Sequence, residues 1–367
     1  MKILYDHQVF SFQNYGGISR YFYEIMKRLP NFGVEYELAA KWSNNHYLKQ
    51  LGMETISPFL EKKEFRGKNR VLYFLNQIVS KRYIKKQNYD LIHPTYYDPY
   101  LLPLLKGKPF CLTVHDMIHE RFSDQFSSQD KTREHKKKMI KAASQIITVS
   151  ECTKKDLLYY FDVDEAKVKV IHHGVSALDH FKPLNSALNF PEKYLLFVGA
   201  RKDSYKNFPF FVRSIVPLLK KYSNWKVLCV GGGGFNSIEK NMMSLLGVAG
   251  SFIQMNLSDT DLFYAYKKAA AFVFPSYYEG FGFPILEALQ AGCPLYLADA
   301  SCFPEIAGEA AHYFNPFEEE DLRSVLLPVF EEESRVFSKV GLGYSQCKKY
   351  NWDSSVSDLV KIYKKYS

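Results

Sequence analysis

Glu279 and Glu287 stand eight positions apart in the segment PSYYEGFGFPILEALQAGCP, residues 275–294. The apolar run AAAFVFP leads into this segment and reads as a buried strand. A Gly-Phe-Gly-Phe turn follows Glu279, then Pro284 and the helix formers Ile-Leu-Glu-Ala-Leu-Gln-Ala. Proline fits the first turn of a helix, where no backbone N–H is needed. Gly280 and Gly282, interleaved with Phe281 and Phe283, let a ligand approach backbone N–H groups at the helix's positive end, a setting that suits phosphate. Two carboxylates beside an anion site make chemical sense if they bind hydroxyls next to the phosphate, as on a sugar and a ribose.

Other residues carry compatible chemistry. Arg201 and Lys206, in FVGARKDSYKNF, follow a strand and suit a diphosphate, one as a planar fork and the other as a compact charge. Asn207 reads as a helix cap. Gly16 and Gly17, in QNYGGISRYFYEI, follow a strand and open a helix, with Arg20 one turn further on. His115 and Asp116 end the strand of CLTVHDMIHE, with His119 and Glu120 just beyond. Gly231 to Gly234 follow WKVLCV and either admit a nucleotide or simply turn the chain. The triplets Asp162-Val-Asp164 and Asp259-Thr-Asp261 read as a loop and a capped helix start, so no metal site is expected.

The pattern SxYEGFGxPxLEA around Glu279 and Glu287 resembles the Glu, seven residues, Glu motif of retaining glycosyltransferases of family 4, which have the GT-B fold. The resemblance implies that Glu279 contacts the donor sugar and Glu287 the ribose of a nucleotide. Gly-x-Arg followed by Lys-Asn is similar to the family's pair that neutralises the leaving diphosphate, here Arg201 and Lys206. Gly16-Gly17 resembles its first glycine-rich loop, set against the donor phosphates and the acceptor. His115-Asp116 resembles its His-Asp, with the His beside the donor sugar and Asp116 and Arg20 toward the acceptor. His173-Gly174 stands where the family has Asn-Gly, and Gly174 is read as serving a turn. Ser301 to Glu305 is similar to a Ser-x-x-Pro-Glu segment near the nucleotide. The resemblance implies a transferase using a nucleoside diphosphate sugar, GDP-mannose favoured, and a glycan acceptor, with neither cofactor nor metal required. Two rivals are a nucleotide-sugar epimerase on the same fold and a non-catalytic glycan- or nucleotide-binding protein.

These residues need a scaffold that presents strand ends. Both halves of the chain alternate strands and helices, which argues for an α/β fold with mostly parallel, doubly wound sheets. Ligands of such sheets sit outside the carboxyl ends of strands, where His93, His115, Asp116 and His173 fall. Residues 176–192 lose periodicity and read as a linker. The expected organisation is a Rossmann-like domain over 1–180 on the acceptor side, a nucleotide-sugar-binding Rossmann-like domain over 181–350 facing the same cleft, and an amphipathic helix over 351–367 returning to the first domain.

The six cysteines form no C-x-x-C pair, which argues against a disulfide frame or a zinc site and for reduced cytoplasmic thiols. No apolar run is long enough to span a bilayer, and the N-terminus lacks the apolar core of a signal peptide. The net charge of +9 belongs wholly to residues 1–187, with 29 Lys and Arg against 20 Asp and Glu; the rest balances at 19 against 19. The excess gathers in 62–70, 81–86 and 131–141. It fits peripheral attachment to an anionic membrane face or a lipid-linked acceptor, as in surface-polysaccharide synthesis, and no nucleic-acid motif accompanies it.

Overall fold

The structure is a computed structural model that describes residues 1–53, 55–63, 65–175, 189–332 and 334–366. The chain divides into two compact units, Met1–Gly174 with Asn351–Ser367, and Val175–Tyr350. Most of the linker expected at 176–192, and the 180/181 boundary, lie outside the described residues.

In the first unit six short apolar runs become parallel strands: β1 (Lys2–Asp6), β2 (Glu35–Ala39), β3 (Leu91–His93), β4 (Cys111–Val114), β5 (Gln145–Thr148) and β6 (Val168–Val170). Ladders join them as β2-β1-β3 and β4-β5-β6, and an Ile92–Phe110 bridge links β3 to β4. The longer helices between them are α1 (Gly17–Arg28), α2 (Lys68–Lys86), α3 (Thr132–Ala142) and α4 (Glu151–Tyr160). Ser150 caps α4 by accepting from Thr153 N at 3.0 Å. A one-turn helix, Gln8–Phe12, intervenes between β1 and the Gly16-Gly17 loop, so these glycines do not directly follow a strand.

The second unit holds β7 (Tyr194–Val198), β8 (Lys226–Val230), β9 (Phe252–Met255), β10 (Ala271–Phe274), β11 (Leu295–Ala298) and β12 (Ala311–Phe314) in one parallel sheet, ordered β12-β11-β10-β7-β8-β9. Its longer helices are α5 (Phe208–Lys221), α6 (Ser237–Leu245), α7 (Asp259–Lys268), α8 (Phe283–Ala291), α9 (Glu319–Phe330) and α10 (Val340–Cys347). This strand order is that of a dinucleotide-binding Rossmann sheet, with its topological switch between β7 and β10. Strands buried on both faces read as continuous apolar runs, as YLLFV and AFVF do.

The last helix, α11 (Trp352–Tyr363), belongs to the first unit. Asn351 caps it, Ser355 Oγ donates to the His172 carbonyl at 2.7 Å, and the Tyr363 hydroxyl meets Tyr5 and His93. Gly174 is explained here rather than by a turn. A Cβ at this position would lie 2.1 Å from the Trp352 nitrogen, so only glycine lets the helix start pack this closely.

Candidate active site

The switch point of the second sheet gathers the residues whose chemistry the sequence singles out. Lys206 comes from the loop after β7 and Glu279 from the loop after β10. Their side chains form an ion pair at 2.6 Å, with 15% and 13% of each accessible. The ammonium also lies over the Phe274 ring, 5.5 Å from its centroid. Helix α8 begins behind this pair. Gly282 is its N-cap with φ 106°, a backbone state that a side chain would strain, and Pro284 lies in the first turn. Ser301 and Cys302 hold the loop from the far side: Ser301 Oγ donates to the Glu279 carbonyl at 2.7 Å and accepts from its N–H at 3.2 Å, and Cys302 Sγ reaches the Phe281 carbonyl at 2.9 Å. Ser301 adopts φ 56°, a left-handed conformation uncommon for a residue with a side chain. Its part in shaping the Glu279 loop is not visible in the sequence except through the short SCFPE motif.

In the ligand-free chain Arg201 makes its hydrogen bonds within the protein. Nε donates to Glu239 at 2.9 Å, Nη1 to the Gly231 carbonyl at 2.7 Å and Nη2 to the Gly233 carbonyl at 2.6 Å. The side chain is 1% accessible and packs against Phe235. Gly231, Gly232 and Gly233 have φ of 85°, 70° and 72°, three successive left-handed residues that only glycine tolerates without strain. Arg201 therefore clasps the glycine turn after β8, and Glu239 both balances its charge and completes the capping box of α6 with Asn236. Asn207 takes the cap position read for it, without a side-chain cap bond. It sits at the N-cap of α5 in a left-handed conformation, but its side chain donates to the Pro316 carbonyl.

Glu287 lies one turn into α8 and accepts from the Tyr266 hydroxyl at 3.3 Å. Asp259, at the start of α7, is close enough to feel its charge. Burial first, and then the Glu287 carboxylate, push the Asp259 carboxyl up to about 6 from an ordinary 3.8. Asp259-Thr-Asp261 is thus a helix start, with Ser258 capping the Asp261 N–H at 3.1 Å, and Asp259 is also a neighbour of the second motif carboxylate. Asp164 caps a short turn through Ala166 N. Among the described residues no group of three or more His, Cys, Asp or Glu is placed to hold a metal.

In the first unit, His115-Asp116 follow directly on β4. The His115 ring is buried between Tyr21 and Phe22, and its buried Nε2 has no hydrogen-bond partner. Burial, against the pull of Asp116 and helped by Lys136, lowers it to about 4, so His115 is neutral at physiological pH. Asp116 Oδ1 accepts from Ile118 N at 3.0 Å. Lys136, which lies in the basic run 131–141, is fully buried. It pairs with Glu120 at 2.7 Å and donates to the Asp116 carbonyl at 3.0 Å. Glu120 thus faces a buried ammonium, and Lys136, although it lies in the basic run 131–141, cannot meet a membrane. Only the i,i+3 spacing of Lys136 with the buried Met139 on α3 hinted that it points inward.

The remaining candidates are partly structural. His93 is not a ligand side chain. Both ring nitrogens are engaged, with the Tyr363 hydroxyl at 2.5 Å and Thr113 at 2.8 Å, and burial lowers it to about 3. Gly17 opens α1, whose Ser19 N–H is capped by the Gln13 side chain at 3.2 Å. A Cβ on Gly16 would strike that same Gln13 amide at 2.7 Å. Arg20 is buried near enough to His173 to disfavour its protonation, behind burial itself and the His115 and His172 charges.

Comparison with known proteins bears on the family and the fold. The sequence profile of Glycosyltransferase Family 4 matches residues 15–177, and that of Glycosyl transferases group 1 matches 182–333. The chain is 24% identical to an O-antigen chain mannosyltransferase B of Escherichia coli, covering 95% of this chain and 96% of that protein. It is 29% identical to the O-antigen chain mannosyltransferase RfbU of Salmonella typhimurium over 66% of this chain and 65% of that one. In three dimensions it resembles Anabaena Alr3699/HepE, solved in complex with UDP and glucose, with a TM-score of 0.76, 16% identity and 99% of both chains covered.

Proposed function

Because this chain belongs to glycosyltransferase family 4 and has its GT-B fold, we propose that the glycosyl transfer it catalyses moves mannose from GDP-mannose to a lipid-linked glycan with retention of anomeric configuration. The observation that carries the reading is the Lys206–Glu279 pair at the sheet's switch point, with the start of α8 beside it. A cation, a carboxylate and a helix N-terminus together match a sugar diphosphate, which presents anionic oxygens next to hydroxyls. The donor sugar is assigned from the relatives, two of which are named O-antigen mannosyltransferases.

In this reading the bound donor replaces the ion pair. Lys206 turns to the diphosphate, Glu279 to sugar hydroxyls and Glu287 to the ribose. The bond from the anomeric carbon to the diphosphate oxygen breaks, and charge grows on that oxygen. In this reading Lys206, once turned, and the amides of Gly280 to Phe283 face the oxygen on which this charge develops, which is where stabilisation accelerates a reaction. The sugar passes through an oxocarbenium-like state. An acceptor hydroxyl attacks from the same face, its proton passes to the departing phosphate oxygen, and the nucleoside diphosphate leaves. Arg201 acts through the glycine turn it clasps. The resemblance assigns Gly16 and Gly17 to the donor phosphates, neutral His115 to the donor sugar, and Asp116 and Arg20 to the acceptor. No cofactor or metal enters this scheme, because Lys206 and the helix amides supply the positive charge.

The test is a thermal-shift screen with GDP, UDP, ADP, CMP and their sugar conjugates, in magnesium and in chelator, followed by a transfer assay. Ligand at 100 times its dissociation constant adds about 2.7 kcal/mol. Stabilisation by GDP-mannose that chelator leaves unchanged, and anomeric retention in the product, support the proposal. Selective stabilisation by another nucleotide overturns the donor, and loss in chelator overturns the metal-free scheme.

A further inference from the structure

Helix α2 is built inside out. Its buried residues fall on every fourth position: Lys68, Leu72, Asn76, Ser80 and Ile84. Three of these are polar, and Asn76 and Ser80 hold the helix by hydrogen bonds. Asn76 accepts from Lys41 N and Trp42 N at 3.1 and 3.2 Å and donates to the Trp42 carbonyl at 2.7 Å, while Ser80 meets the Tyr100 hydroxyl at 2.7 Å. The opposite face carries the large apolar side chains. Val71, Phe74 and Ile78, at i, i+3 and i+7, are 44%, 61% and 37% exposed. Leu60 and Phe65 are exposed in the approach to the helix. A surface helix ordinarily has the reverse pattern, and the fold gains nothing from apolar groups left in water.

The charges around the stripe say what would cover it. Six of the helix's nineteen residues are Lys or Arg and none is acidic, with Lys62, Lys63 and Arg66 just before it. Arg70, Arg82 and Lys85 lie exposed on or beside the outward face. A second copy seated on this face would set cation against cation. A nucleic acid would use the cations but not the stripe. A bilayer with anionic headgroups uses both, and the five cations other than the buried Lys68 keep the helix on the surface rather than across it.

We propose that the outer face of α2 docks on an anionic lipid bilayer, with Phe74 and Ile78 at the headgroup–acyl boundary and Arg70, Arg82 and Lys85 against the headgroups. This extends the lipid-linked acceptor reading, and its measurement involves no sugar transfer, so either can fail without the other. The experiment floats the full chain with vesicles of phosphatidylcholine alone or with phosphatidylglycerol at 7:3. The chain is expected on the anionic vesicles only, and to leave them in high salt. Phe74→Ser with Ile78→Ser should weaken partitioning roughly tenfold or more. Arg70→Gln, Arg82→Gln and Lys85→Gln together should weaken it roughly a hundredfold, at about fivefold per charge. Lys137→Gln with Lys138→Gln, on exposed positions of α3, should change it by less than about threefold. Absence of flotation overturns the proposal. So does an apolar double variant that binds as well as the parent, an α3 variant that loses as much as the α2 triple, or a parent dimer that the apolar variant makes monomeric.

Discussion

Each unit of this molecule has a switch point between strands, and the two are filled in opposite ways. In the first unit the crevice between β1 and β3 is stitched shut. Asp6 is 1% exposed, and its carboxylate accepts from Thr95 N at 2.8 Å, Thr95 Oγ1 at 2.7 Å and Gln8 Nε2 at 2.6 Å. In the second unit the crevice between β7 and β10 holds the Lys206–Glu279 ion pair, with part of both side chains open to solvent. A switch point is therefore a joint in one unit and the candidate binding site in the other. The difference lies in whether the polar groups at the strand ends have already found enough partners.

The largest effect that would sharpen this contrast is on stability. Arg201→Ala leaves Glu239 buried without its cation and two glycine carbonyls without donors, and should cost about 3–5 kcal/mol in chemical unfolding. If it instead leaves stability intact and removes turnover alone, Arg201 is a ligand residue after all. Lys136→Met strands Glu120 in the same way and should cost a similar amount, about 3–5 kcal/mol, much of it recovered when Glu120→Leu is added. A double variant as unstable as the single one would show that the pair itself does not set the cost.

Lys206→Ala should behave differently, with turnover falling about a hundredfold or more and the unfolding midpoint little moved, since the pair it leaves is partly solvated. Unchanged turnover would end its assignment to the diphosphate. Asp6→Ala is its converse. Removing a buried acceptor of several donors should cost about 1–3 kcal/mol of stability, and an effect confined to kinetics would break the comparison.

The smallest effect is a pH dependence. The folded state raises Asp259 from 3.8 to about 6, so it binds the proton more tightly than the unfolded chain. The native state thus loses stability as pH rises from about 4 through about 6, and the loss persists above. Asp259→Asn removes the buried charge. It should raise the melting temperature at pH 8 and lose that advantage toward pH 4. An equal gain at both values would separate the effect from ionisation.

Much of this was legible in the residues. The apolar runs YLLFV, AFVF and CLTV became strands because continuous apolar stretches must be buried on both faces of a sheet. The Glu279 to Glu287 segment became a turn and a Pro-led helix because glycine and proline restrict the backbone locally. Those features, with the charge division and the family to which the motif belongs, depend only on neighbours along the chain. The fate of individual cations did not follow from the sequence. Arg201 and Lys206 are five residues apart in one loop, yet one is sealed against Glu239 and the other meets Glu279; Lys136 is buried while Lys137 and Lys138 are exposed. A charge is buried only where a distant carboxylate or carbonyl compensates its lost hydration. Those partners lie 38, 73 and 16 residues away, so only the tertiary structure could choose them.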